Sequence, residues 1–250
     1  MSRAIAMTTA AFVAFTALVL SGAMNRIDDW GVDHVMPALA PRAPGNGVVA
    51  AVGLWRPFKL DVPWWQQALG AYNYPASVLV SGLVITVAAV ALLRRGAVEA
   101  TVVWVATWCV ANGLELVGKH ELERPGVHWS NGHIRIHVLP YDSSFPSGHT
   151  VRAVVLAATV AYAWPRARFA AAAWLALVPA TLVVDADHTI SDVVGGLLLG
   201  LLLLLLAHAM IRRWTRSPNY SIASNGASSA IRSRFSRTSQ AATSSSPTRS

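Results

Sequence analysis

The chain has 250 residues, of which 54% are hydrophobic and only 13% charged. Soluble globular domains carry about 25% charged residues, so this composition excludes an ordinary soluble domain and points to the membrane. The formal net charge of +8 does not indicate a nucleic-acid partner, because seven arginines fall in the acid-free stretch from Arg212 to Arg249 and the rest is close to neutral.

Six apolar blocks follow one another, roughly Ala4–Met24, Tyr74–Leu93, Ala97–Val117, Thr150–Trp164, Phe169–Val184 and Ile190–Ile211. A spanning helix needs about 20 residues. Blocks one, two, three and six reach that length, and blocks four and five need flanking residues. The fold class expected is therefore an all-α integral membrane protein, a bundle of six transmembrane helices. A cleaved signal peptide is the rival reading of the first block, since Arg3 precedes it and Ser21-Gly22-Ala23 follow, but its apolar core is long for a signal. The lone cysteine, Cys109, lies inside a block and cannot form an intrachain disulfide.

Basic residues orient the bundle. With the N-terminus cytoplasmic, Arg3, the Arg94-Arg95 turn, the Arg166/Arg168 turn and the Arg-rich tail all fall inside, as the positive-inside rule asks. Asn25–Asn73, Gly118–His149 and the turn near Asp185–Thr189 then fall outside. Three segments are expected: residues 1–73, the first helix and an extracytoplasmic interfacial loop; residues 74–211, a catalytic helical core; and residues 212–250, a disordered Arg/Ser-rich cytoplasmic tail. Trp30, Trp55, Trp64 and Trp65 suit the first loop to a membrane interface, with a short helix near Trp64–Ala71. That loop reads as packing cover with a secondary part in substrate access. The tail would be drawn to an anionic inner leaflet. The cell's cytoplasmic membrane is the location, with both termini inside.

The chemistry-bearing residues form three clusters at the outer ends of the blocks: Gly118-Lys119-His120-Glu121-Leu122-Glu123-Arg124-Pro125, Pro146-Ser147-Gly148-His149 and Asp187-His188-Thr189-Ile190-Ser191-Asp192. The expected topology brings all three to one side at similar depth. Each cluster taken alone has a blander reading: a helix start with a surface histidine, or a His–Asp capping pair. Together they describe an anion site. A helix start offers unpaired N–H groups and the positive end of the dipole. Lys119 and Arg124 add fixed positive charge. His188 and Asp192 are four apart on one helix face, where a carboxylate fixes the imidazole tautomer and leaves the other nitrogen as nucleophile or base. Arg152 is an arginine inside an apolar block, three residues beyond His149. Cations, helix-start amides, a His–Asp pair and a second histidine suit phosphoryl transfer.

These clusters resemble the signature of the type 2 phosphatidic acid phosphatase superfamily, membrane lipid phosphatases related to vanadium haloperoxidases. The family pattern is Lys-x6-Arg-Pro, Pro-Ser-Gly-His and Ser-Arg-x5-His-x3-Asp, and the resemblance covers roughly residues 74–211. It implies a six-helix membrane protein with an outward-facing site. It implies His188 as the nucleophile that forms a phosphohistidine, Asp192 as its orienting group and His149 as general acid. Ser147, Gly148 and Lys119 would hold phosphoryl oxygens, with no cofactor and no metal. Two departures stand out. The first motif is Lys119-x4-Arg124-Pro125, two residues short, with Gly126 at the family arginine's position. In the third, Thr181-Leu182 replaces Ser-Arg, so Arg152 is a candidate to supply the missing charge.

The reading is a lipid phosphatase acting on a phosphomonoester or pyrophosphate, such as a prenyl (di)phosphate, phosphatidic acid or phosphatidylglycerol phosphate. A lipid head-group phosphotransferase, an inactive scaffold and a metal site built on His128, His133 and His137 are the other readings. Sequence does not choose the lipid or fix the oligomeric state.

Overall fold

A computed structural model of the chain describes residues 2–36, 64–122, 124, 126–130, 133–137, 144–185 and 187–216. The expected interfacial loop around Trp55, Pro125 of the first cluster, Tyr141–Ser143 ahead of the second and the tail beyond residue 216 lie outside those residues. The chain divides into two units, Met1–His208 and Ala209–Ser250, and the architecture of the first concerns the site.

Its helices are α1 (Ser2–Leu20), α2 (Asn25–His34), α3 (Trp64–Asn73), α4 (Val78–Arg94), α5 (Val98–Glu121), α6 (Gly148–Ala163), α7 (Arg168–Val184) and α8 (Ile190–Thr215, continuing into the second unit). Every expected apolar block is a helix. The helix expected near Trp64 is α3, and α2 is an additional helix inside the presumed loop. A two-stranded antiparallel hairpin, β1 (Gly126–Ser130) and β2 (His133–His137), also joins the fold, with Gly126 opposite His137 and Ser130 opposite His133.

By length and composition α1, α5, α8 and the stretch Pro165–Val184 can cross a membrane alone. Residues 68–76 and α4 make a fifth span if taken together, bent by 52° at the break. Pro75 lies in the short 3₁₀ turn at that break, and Ser77 then caps α4, its Oγ accepting from the Val80 N–H at 3.4 Å. The sixth helix, α6, has 16 residues, or about 24 Å of rise against a hydrocarbon core of about 30 Å. It is short because it does not face lipid. Val151, Arg152, Ala153, Val154, Val155 and Leu156 are successive and all buried, so this first half of α6 is enclosed on every side, and the helix packs on α4, α5 and α7. The outer helices show the converse pattern. Only Val19 of α1 is buried, and Leu79, Leu83, Val87 and Val90 of α4 are exposed, as lipid-facing surfaces should be.

The contact that sets the site is α6 against α8. Val151 and Val155 of α6, Leu199 and Leu203 of α8 and Ala111 of α5 form one apolar cluster. Gly196 and Gly200 lie one turn apart on α8. A Cβ on Gly196 would stand 2.7 Å from the Ser147 carbonyl oxygen and 2.8 Å from Thr150 Cβ; one on Gly200 would stand 2.8 Å from Val154 Cβ. Small residues four apart let helix backbones approach closely in membranes, where dispersion and polar contacts drive association. At the far end of the bundle, Arg95 donates to the Ala163 carbonyl, tying the α4–α5 turn to the end of α6.

Candidate active site

The segment Ser144–Ser147 is pressed between two helices by glycines. Gly118 of α5 leaves room for Pro146, whose Cδ would be 2.8 Å from an added Cβ, and Gly195 of α8 leaves room for the fully buried Phe145 ring, at 2.3 Å. Ser147 then starts α6. Its Oγ accepts from the Thr150 N–H at 3.3 Å and from the Thr150 hydroxyl at 3.0 Å, the N-cap arrangement expected of serine. Its own N–H donates to the Asp192 carbonyl at 3.0 Å.

The third cluster begins α8. The Leu182 carbonyl closes the turn out of α7 by accepting from the N–H groups of Asp187 (3.1 Å) and His188 (3.4 Å). Asp192 is fully buried, and its Oδ2 accepts from the Thr189 N–H at 3.0 Å while the Thr189 hydroxyl accepts from the Asp192 N–H at 3.4 Å. These two residues reciprocally cap the first turn of α8. The same carboxylate oxygen stands 3.9 Å from His188 Nδ1, an ion-pair separation that falls outside hydrogen-bond reach. Catalytic contacts of this kind are often long before substrate binds. His149, one residue into α6, faces His188 with ring centroids 6.1 Å apart and planes 59° to each other. His149, His188 and Asp192 thus lie together, as the spacing predicts.

The cations fall into two groups, each built on a carboxylate that the sequence motifs do not contain, Glu115 in one and Asp28 in the other. Lys119 Nζ pairs with Glu115 Oε1 at 3.1 Å, one turn earlier on α5. Arg152 pairs with the other oxygen of Glu115, and also donates to the Ala76 carbonyl (2.7 Å) and to Asn112 Oδ1 (3.3 Å). Glu115 is buried directly against Gly148, where any Cβ would overlap its carboxylate at 1.8 Å. Arg124 forms the second group. It is buried, pairs with Asp28 of α2, places Nε 3.5 Å from Asp192 Oδ1 and sits 5.9 Å from the Phe145 ring centre. The third-motif position lacking an arginine is Leu182, wholly buried in a cluster with Ala76, Ala153, Val178 and Val193. Thr181 beside it donates to Asn73 Oδ1 at 2.7 Å.

A signal for Glu115 existed. An ionisable residue inside an apolar block needs a partner, and that argument, applied to Arg152, applies equally to a carboxylate in the third block. Asp28 carried no such mark, because its partners are 96 and 163 positions away. The backbones of His128, His133 and His137 lie in the hairpin; their side chains lie outside the described residues.

His149, His188 and Asp192 lie together at the starts of two packed helices, α6 and α8, of an integral membrane protein. Residues 100–216 match the PAP2 superfamily. Among solved structures the chain is similar to a transmembrane PAP2-type phosphatidylglycerolphosphate phosphatase from Bacillus subtilis, at 20% identity and a TM-score of 0.58, over 85% of this chain and 98% of that one. That likeness is one of fold. None of the curated protein sequences compared with the chain matches it.

Proposed function

We propose that the chain is a lipid phosphatase that works through a phosphohistidine at His188. The observation that carries this is the pairing of two histidines at 6.1 Å, with the buried Asp192 carboxylate 3.9 Å from Nδ1 of His188. Asp192 stands at Nδ1 of His188, so Nε2 is the nitrogen left to attack. Nε2 forms a bond to phosphorus as the bond from phosphorus to the leaving oxygen breaks, and His149 gives that oxygen its proton. Water then attacks the phosphohistidine, His149 takes its proton, and inorganic phosphate and free His188 result.

Lys119 and the first amides of α6 are the proposed phosphoryl contacts, with Ser147 and Gly148 shaping that corner. Arg152 and Arg124 supply charge, but each is already paired with a carboxylate, Glu115 in one case and Asp28 with Asp192 in the other. An entering phosphoryl group would compete for the same donors. The substrate class proposed is a phosphomonoester or diphosphate on a lipid, because the site lies at the ends of helices whose outer faces are apolar. Extracytoplasmic placement of the site, in the cytoplasmic membrane, follows from the positions of the arginines.

The test is release of inorganic phosphate by purified protein from a panel of prenyl diphosphate, phosphatidic acid and phosphatidylglycerol phosphate, in EDTA, with and without vanadate. The reading predicts vanadate-sensitive release from at least one lipid, lost in His188→Ala. Transfer to an acceptor lipid with no release would favour a phosphotransferase, and inactivity in every arm a scaffold.

A further inference from the structure

We propose that Asp28, on α2 and outside the segment matching the family, is a positioning residue of this active site. The inference rests on the reading of His188 and Asp192 as the reacting pair.

Asp28 is 2% exposed, yet it is charged and lies in a helix of modest apolar content. Burying a carboxylate is costly unless it is paired and hydrogen-bonded. Here it is both. Oδ1 accepts from the Ser191 N–H at 2.9 Å and Oδ2 from the Ser191 hydroxyl at 2.6 Å, while Arg124 pairs with the same carboxylate. The Ser191 N–H is in the first turn of α8, where amides lack partners and the dipole favours an anion. Asp28 therefore anchors the turn that carries Asp192. The anchoring is close: a Cβ on Gly31, one turn along α2, would stand 3.0 Å from Ile190 Cδ1.

The second link runs through Arg124. This guanidinium lies between two buried carboxylates, paired with Asp28 on one side and 3.5 Å from Asp192 on the other. Asp192 in turn has His188 at 3.9 Å. Two cationic or potentially cationic groups thus share Asp192, and Asp28 holds one of them back. Without Asp28, Arg124 loses one of the two buried carboxylates it stands between, and a tighter pair with the other draws Asp192 away from His188. Asp28 sets how much of Asp192 is left to orient the nucleophile. It touches neither substrate nor the reacting nitrogen.

The experiment compares Asp28→Ala, Asp28→Glu, Arg124→Ala and the Asp28→Ala/Arg124→Ala pair in the phosphate-release assay, with His188→Ala as control. A displacement of about 1 Å in a reacting group costs about a hundredfold in rate. Asp28→Ala is expected to lower kcat by about ten- to a hundredfold with KM within about twofold, and Asp28→Glu to recover part of the loss. The second substitution should add little to the first, because both act through Arg124. Additive losses, a change confined to KM or an unchanged kcat overturns the proposal, even where the wild type is active and His188→Ala is not. If the wild type releases no phosphate from any lipid, the catalytic reading fails by itself. Positioning is then read by NMR of isotope-labelled histidine rings. Asp28→Ala should shift the His188 resonance, and Arg124→Ala added to it should shift it little further. A His188 resonance that stays in place overturns the proposal.

Discussion

The Ser147 N–H donates to the Asp192 carbonyl at 3.0 Å, joining the cap of α6 to the first turn of α8. The contact is between backbones, so it depends on how closely α6 and α8 approach and not on either side chain. His149 follows Ser147 and His188 precedes Asp192, so this hydrogen bond fixes the separation of the two histidines.

Gly196 makes that approach possible, and its replacement gives a test by sign. In a helix that faced open space, Gly→Ala would stabilise by about 0.8–1 kcal/mol. Here the methyl would meet the Ser147 carbonyl at 2.7 Å and Thr150 Cβ at 2.8 Å, and overpacking costs about 1–3 kcal/mol. Gly196→Ala should therefore lower the thermal midpoint in detergent and reduce phosphate release by at least about tenfold, since the histidines move apart. A raised midpoint with full activity would show that the helices are not in close contact.

The two histidines have different proposed parts, so they should differ in sensitivity to the leaving group. His149→Ala should slow release from a lipid phosphate by about 10²–10⁴-fold, the usual worth of a general acid. With an aryl phosphate, whose leaving oxygen needs little protonation, the loss in the first step, read as the initial burst of aryl alcohol, should be much smaller. His188→Ala should be inactive on both. Equal losses for His149→Ala on both substrates would remove it as proton donor.

Arg152 and Glu115 form a buried pair, and removal of Arg152 takes away the more buried of the two cations that hold the Glu115 carboxylate. Breaking such a pair costs about 3–5 kcal/mol. Arg152→Met should lower the thermal midpoint sharply, and Glu115→Gln added to it should restore part of the loss. The double variant also separates structure from catalysis: if it folds and releases phosphate at the wild-type rate, Arg152 is not the substitute for the missing third-motif arginine.

Six apolar blocks were legible as six helices because membrane insertion imposes length and composition on each. The exception in length, α6, follows from burial: a helix enclosed by protein can stop at 16 residues. The His149–His188–Asp192 group was legible too, since helical spacing and a shared membrane side were enough to bring these residues together. The hairpin at 126–137 was not anticipated, because its strands lie in a polar loop between helices without a long alternating pattern. Asp28 and the division of the cations between two carboxylate clusters were also hidden. They depend on which faces of α2, α5 and α6 turn inward, and the uniformly apolar helices of a membrane protein carry little periodicity from which to read that.

The central claim is the covalent intermediate. Protein incubated briefly with a radiolabelled lipid phosphate and quenched in alkali should carry an acid-labile, alkali-stable label in the peptide containing His188. The label should be absent from His188→Ala and reduced in Asp192→Asn. Phosphate release by a His188→Ala protein at the wild-type rate, with no label trapped in either, would contradict it.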